Sequence, residues 1–586
     1  MFKFRKKTIN LFIKFLLLNF ILLIKAIFKM NSAILLVISL SLFYLGYKFY
    51  STYLSDKIYN LDNSKKTPAY KFNDGIDYIP TNKHILFGHH FTSIAGAAPI
   101  IGPCIAVYWG WLPALLWIVL GTIFMGAVHD FGALVISLKE NGKSVADISS
   151  KVINKRIQIM FLIFIMCLTW LVLAVFANAI ATLFTKYSTA VLPVNIEIII
   201  AIIIGYLIYK KQINAFYPSI IALLILYLFV WIGSNNPINL KVIGVNPNNI
   251  KHTWIILLFI YSMIASLIPI WILLQPRDYI NSHQLMVGLG LIFLSIFIVQ
   301  PEIIAPAITN INNGPPIIPF LFVTIACGAI SGFHGLVSSG TTSKQVEKMG
   351  DARMIGYGAT LGEGSLAIAA TIAAVAGISF VSSDSNLCLP WTCDFNNAKS
   401  GALSVFIEGS AGLLQQIGFS VSLSITLIVV LVVSFAATTL DSATRIQRYI
   451  ITEFGTASKI KFLENKYIAT LLSAFPAYLI TMNDSLRKEL WTTFGASNQM
   501  LAALTLMILS IYFWKKKRNV LPLIIPMIII MLVTISALII KFKTSNTILV
   551  LAINGILICL ITWMILEGVI YWWTNRLNYS MRHNEK

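Results

Sequence analysis

Charge is what this 586-residue chain has least of: 11% of its residues are Asp, Glu, Lys or Arg, against about 25% in an average soluble protein. A fold of this length cannot cover a water-facing surface with so few polar side chains. That excludes a globular soluble enzyme, an ordinary nucleic-acid binder and a disordered chain. Acids are scarcer than bases, 23 against 44. Six cysteines are too few for a dense disulfide framework. No P-loop, Gly-x-Ser-x-Gly elbow or His-Glu-x-x-His is found, so ATP-driven pumping and the common hydrolytic chemistries have no residues to run on. The loops are short, and none could fold as a separate soluble domain.

What the chain has is apolar length. Hydrophobic residues make up 57% of it, in runs long enough to cross a bilayer. Scanning for runs of roughly 20 apolar residues predicts about 16 transmembrane helices. The first, near 9–29, is read as a retained helix rather than a signal peptide, since its apolar stretch is long and lacks a cleavage site. The runs 194–209 and 284–300 are short, which implies tilt or partial re-entry. Segment 401–420 is less apolar and reads as interfacial. With the N-terminus inside, most of the basic residues fall on one side, as the positive-inside rule requires. Both termini are therefore predicted to be cytoplasmic. The division is two N-terminal helices in 1–54, a cytoplasmic loop 55–84, a core 85–440, a cytoplasmic loop 441–465, and C-terminal helices with a short tail in 466–586. The 383–403 loop is placed outside, where Cys388 and Cys393 either form a disulfide or remain two free thiols.

Polar groups at membrane depth are expensive, so their positions point to function. The run Phe87-Gly-His-His-Phe-Thr-Ser-Ile-Ala-Gly-Ala-Ala-Pro-Ile-Ile-Gly-Pro103 opens a span with His89 and His90, then carries Ser93, Gly96, Pro99, Gly102 and Pro103. The prolines predict a broken helix, and exposed backbone at that depth survives where it lines a cavity. His129 and Asp130 sit inside an apolar run, as a proton relay or a structural bond to the broken helix. The stretch 325–342 is rich in glycine. It holds His334 and the hydroxyls of Ser338, Ser339, Thr341 and Thr342, oxygen ligands of the kind that suit a hard cation. Glu363 follows two glycines with no basic residue near it in sequence. Arg277 and Asp278 are expected to pair at a cytoplasmic helix end, and Asp441 with Arg445 at i,i+4.

At these residues the sequence resembles the carbon starvation protein A family of bacterial inner-membrane transporters. The resemblance rests on Asn73-Asp-Gly-Ile-Asp-Tyr-Ile-Pro-Thr81, Leu86-Phe-Gly-His-His-Phe91, Gly126-Ala-Val-His-Asp-Phe131, Gln275-Pro-Arg-Asp-Tyr279, the 325–342 stretch, Gly356-Tyr-Gly358 and Trp491-Thr-Thr-Phe-Gly-Ala-Ser-Asn-Gln-Met-Leu501. It implies an all-α polytopic membrane protein with an inverted-repeat core like that of the amino acid–polyamine–organocation superfamily and the leucine transporter. The repeats would span about 85–233 and 253–440. Discontinuous helices would start at 85 and 253, the second broken at Pro269. The 318–338 span would be the third helix of repeat two, its hydroxyls facing carbonyls near Ala95–Ala98.

The function expected is a secondary active transporter, not an enzyme, importing peptides or a small carboxylate such as pyruvate and tied to carbon starvation. Its partners are that substrate, H⁺ with Na⁺ as a second candidate, and the lipid bilayer, with no nucleic acid and no cofactor. Substrate contacts are assigned to His89, His90, Ser93, Gly96, Gly102, Asn498 and Gln499. The coupling ion is assigned to His334, Ser338, Ser339, Thr341, Asp130 and Glu363. Arg277, Asp278, Asp441 and Arg445 are assigned to gating or structure, and no metal is assigned. The rival readings are a membrane redox enzyme that ligates haem or metal through His89, His90, His129 and His334, and a passive channel.

Overall fold

The computed structural model describes residues 31–584, apart from 76, 215, 310–313, 382–386 and 546–547. The expected first span at 9–29 lies outside the described residues. Among those described, 12 helices are long and apolar enough to cross a membrane, or up to 13 if one bent pair is a single span. The difference from about 16 has identifiable sources. Besides 9–29, the 318–338 run is broken into two short helices, and the 466–482 helix has 17 residues.

In chain order, α1 is Ser32–Tyr59. The bent pair is α2, Lys83–Ile94, and α3, Ala98–Trp109, at 46° to each other. Then come α4 (Trp111–Lys139), α5 (Lys155–Lys186), α6 (Ser188–Tyr209) and α7 (Phe216–Asn235). α8 is Ile250–Leu267 and α9 is Leu274–Val299. α10 is Ile317–Thr324 and α11 is Gly332–Gly340. α12 is Met349–Val375, α13 Phe395–Gln416, α14 Val421–Ser458 and α15 Lys466–Met482. α16 (Asp484–Lys515), α17 (Leu521–Thr544) and α18 (Asn554–Tyr571) complete the order.

Several boundaries move from the sequence reading. The 284–300 run is the apolar end of a 26-residue helix that starts at Leu274. Its first turns, Gln275-Pro-Arg-Asp278, are polar in sequence yet buried, so hydropathy alone truncated it. Segment 401–420 lies largely in α13, whose buried face includes Val405, Phe406 and Leu413. Residues 441–458, read as loop, continue α14 to 38 residues. Cys388 and Cys393 are joined by a disulfide, with Cα atoms 5.9 Å apart.

Three breaks shape the interior. Between α2 and α3, Pro99 falls in the first turn of α3, where its missing N–H costs nothing. Pro103 then removes the donor for the carbonyl four residues back. Between α8 and α9, Ile268–Leu273 leave the helix around Pro269. Between α10 and α11, Ile325–Ser331 turn through Gly328 at φ +93°, a left-handed conformation that favours glycine. Gly126 of α4 lets this last break approach closely. A Cβ built there would collide with the Ala329 carbonyl oxygen.

Candidate functional site

Two buried polar centres flank the breaks. The first joins α4, α11, α12 and α16. Asp130 uses both oxygens: Oδ1 meets His129 Nδ1 at 2.6 Å, and Oδ2 meets His334 Nδ1 at 2.8 Å. The Thr360 hydroxyl also donates to Oδ2, at 2.5 Å. His334 Nε2 lies 3.4 Å from Glu363 Oε1 but makes no hydrogen bond. Glu363 Oε1 accepts the Gly328 N–H at 3.0 Å, so the positive φ of that glycine aims a backbone donor at the carboxylate. Asn498 ties α16 to the same break. Its Oδ1 accepts the Phe333 N–H at 2.9 Å, and its amide donates to Ser331 Oγ at 2.9 Å. Asp130, His334 and Glu363 are at most 1% exposed.

The second centre joins α2, α6, α8, α9 and α14. Arg277 is fully buried. Its guanidinium reaches Glu197 at 2.9 Å and Asp441 at 2.5 Å, and Nη1 also donates to Tyr261 at 2.8 Å. Tyr261 in turn donates to Asp441 at 2.9 Å, and Ser434 to Glu197 at 2.5 Å. Beside it, His89 Nδ1 meets Asp278 Oδ2 at 2.5 Å. Asp278 Oδ1 and His89 Nε2 lack a partner at hydrogen-bond geometry, and the Thr438 hydroxyl stands within reach of the carboxyl as a donor.

The other assigned residues fall as follows. His90 Nδ1 bonds the Thr342 hydroxyl at 2.8 Å, which links α2 to the end of α11. Ser93 Oγ is buried without a partner. Gly96 abuts Thr439 and Phe176, and Gly102 abuts the Thr324 carbonyl. Gln499 donates to the Phe322 carbonyl at 2.7 Å. The hydroxyls expected to face Ala95–Ala98 do not. Ser339 and Thr341 donate to carbonyls four residues back, and Ser338 to the Asp130 carbonyl. Helical back-bonding satisfies Ser339 and Thr341 locally, whereas Ser338 reaches across to α4. Arg277 and Asp278 do not pair with each other, and Arg445 does not pair with Asp441. Arg445 donates instead to the carbonyls of Ala265 and Ile268, freed where α8 ends. Sequence reasoning missed Glu197, although a carboxylate in an apolar run with no adjacent base is itself a signal.

A cavity of about 500 Å³ opens at the end of the molecule that carries residues 142–158 and 446–457. Leu336, Ser339 and Gly340 of α11 line it together with Lys143, Lys155, Lys344, Tyr449 and Glu453. Lys344 stacks over Tyr78 and Tyr449, 5.4 and 4.8 Å from their ring centroids. Burial pushes its ammonium below the usual lysine range, while Asp77, Glu453 and Asp74 pull the other way.

A helical chain of this kind, with broken helices around buried ionisable pairs and a polar cavity at one end, is a multi-pass membrane protein built as a transporter. The chain belongs to the carbon starvation protein CstA family, whose model matches residues 31–386 and 393–537. It is 31% identical to the peptide transporter CstA of Bacillus subtilis over 536 residues, covering 85% of this chain and 88% of that one. It is 36% identical to the pyruvate/proton symporter BtsT of Escherichia coli over 356 residues, covering 58% and 48%. Among solved structures it is similar to a manganese transporter of Eremococcus coleocola, at 14% identity and a TM-score of 0.43, covering 85% of this chain and 99% of that one. The redox alternative finds no support. These relatives are transporters, and the four histidines bond carboxylates or a hydroxyl through Nδ1.

Proposed function

We propose that the protein is a secondary active transporter of the bacterial inner membrane that imports a short peptide or a small carboxylate such as pyruvate together with a proton. In this reading both termini and the basic loop 139–156 are cytoplasmic, and the 500 Å³ cavity that this loop borders opens to the same side. The observation that carries the reading is the His89–Asp278 pair at the bent helix: a buried acid and base 2.5 Å apart, each with one atom left free. A site that must load and release a proton needs such a free atom. Asp130 has none, because both its oxygens are engaged, and it acts as an orienting group for two histidines. Ser338, Ser339 and Thr341 spend their hydroxyl protons on carbonyls within the protein, and H⁺ is taken as the coupling ion because one relative is a pyruvate/proton symporter. The relatives' names, one for peptides and one for pyruvate with protons, point to the same two substrates.

Mechanistically, protonation of the His89–Asp278 pair removes a buried negative charge from α9, next to the Arg277 centre that ties α6, α8 and α14 together. In the resulting exchange of helix contacts, the substrate carboxylate passes from the break at 95–97 to the cavity where Lys344 and Lys155 lie. Proteoliposomes with an imposed inward proton gradient test this. Asp278→Asn should abolish accumulation above equilibrium yet retain substrate exchange. Normal accumulation by that variant would remove the pair from coupling.

A further inference from the structure

We propose that Cys327, His334 and Glu363 form a binding site for a divalent transition metal of the zinc class at the break between α10 and α11. The site is independent of the coupling reading, which uses other residues.

One ligand atom from each of the three lies within 4.8 Å of the other two, and all three residues are at least nine-tenths buried. Bond lengths of about 2.0–2.3 Å put tetrahedral ligand atoms about 3.3–3.7 Å apart. The 3.4 Å between His334 Nε2 and Glu363 Oε1 already meets that spacing, and the Cys327 sulfur needs only a small side-chain movement. His334 Nε2 is the telling atom. It is buried, it lies 3.4 Å from the carboxylate and beside the thiol, and neither contact reaches hydrogen-bond geometry. An imidazole nitrogen that points between an oxygen and a sulfur donor is placed as a ligand is placed.

Each ligand also has the outer partner that metal ligands need. Asp130 holds His334 Nδ1 at 2.8 Å, which fixes the tautomer that presents Nε2. The Gly328 N–H holds Glu363 at 3.0 Å. The Asn498 amide donates to the Cys327 sulfur at 3.3 Å, the contact a thiolate wants. Charge agrees. Within the ligand shell, one thiolate, one carboxylate, a neutral imidazole and a divalent cation sum to zero, and the Asp130 charge outside it is met by His129, His334 and Thr360. Binding releases the Cys327 thiol proton to solvent. The metal would pin the non-helical stretch 325–331 to α12, as a cross-brace for a segment with few backbone bonds of its own. A soft sulfur, a nitrogen and one oxygen select this class over Mg²⁺ or Ca²⁺.

The test uses the full chain, purified without a polyhistidine tag, stripped with chelator and titrated with Co²⁺ alone. The expected result is one Co²⁺ per chain with a sulfur-to-cobalt charge-transfer band. Cys327→Ser should lose the band and Glu363→Gln should weaken binding at least tenfold. Asp130→Asn should weaken it by about 10–100-fold, as loss of an outer-shell carboxylate does. Cys327→His, which replaces the sulfur ligand with a nitrogen one, should bind without the band and guards against a misfolded serine variant. The proposal is overturned by the absence of stoichiometric Co²⁺, by a band that persists in Cys327→Ser, or by a band that instead disappears in Cys559→Ser.

Discussion

Arg277→Met is the sharpest test of the buried charge centre. Arg277 is fully buried and neutralises parts of two carboxylates, Glu197 at 2.9 Å and Asp441 at 2.5 Å, that are themselves unexposed. Methionine keeps most of the volume and removes the charge. Removing one partner of a buried pair costs about 3–5 kcal/mol, because the remaining charge stays desolvated. Here two acids are left behind, so the upper part of that range is expected. Asp441→Asn alone should cost only about 1 kcal/mol, since Glu197 still serves the guanidinium and a neutral hydrogen bond to the amide remains. Added to Arg277→Met, Asp441→Asn should restore stability, because it removes one stranded charge. The assay is equilibrium unfolding in mixed detergent micelles, analysed as a double-mutant cycle. A loss of under about 1 kcal/mol for Arg277→Met, in the range of solvated surface pairs, would refute the claim that this centre is dry.

Other outcomes follow from the same geometry. His89→Ala should behave like Asp278→Asn, with uptake that only equilibrates and no longer responds to a pH gradient; concentrative uptake by either variant contradicts a coupling role for the His89–Asp278 pair. Because burial lowers the Lys344 pKa, its charge is present at low pH and is lost, as pH rises, earlier than in an ordinary lysine. Substrate affinity measured from the side on which the cavity opens should therefore weaken toward alkaline pH, and Lys344→Arg should flatten that profile. Gly126→Ala would drive a methyl into the Ala329 carbonyl. It should cost about 1–3 kcal/mol as over-packing does, and an unchanged melting temperature would show that α4 and the break are not in contact.

Sequence carried the helices and two of the three breaks, one from its own prolines and the one at Pro269 through the family resemblance. Pro99 and Pro103 announce the bend after α2 because proline removes donors wherever it stands. His129, Asp130 and Glu363 were visible because ionisable groups in apolar runs stand out. The pairings were not visible, because they join residues far apart in the chain. His334 finds Asp130 across 204 residues, and Arg277 finds Asp441 across 164. Nearest-neighbour logic paired Arg277 with Asp278 and Asp441 with Arg445, yet each found a partner on another helix. The start of α9 and the end of α14 were lost for a related reason. Hydropathy reads Gln275–Asp278 and Asp441–Arg445 as too polar to be interior, whereas cross-helix bonds make them so. Nothing in the local sequence marks Cys327 as a ligand, since a thiol shows that character only once a histidine and a carboxylate are placed beside it.

The central claim is proton-driven import by this chain. Its most direct measurement is uptake of labelled pyruvate and of a labelled dipeptide into proteoliposomes under imposed pH gradients. The account predicts accumulation of one of them above equilibrium, abolished when the proton gradient is collapsed. Uptake that never exceeds equilibrium, or that ignores the collapse, would contradict it.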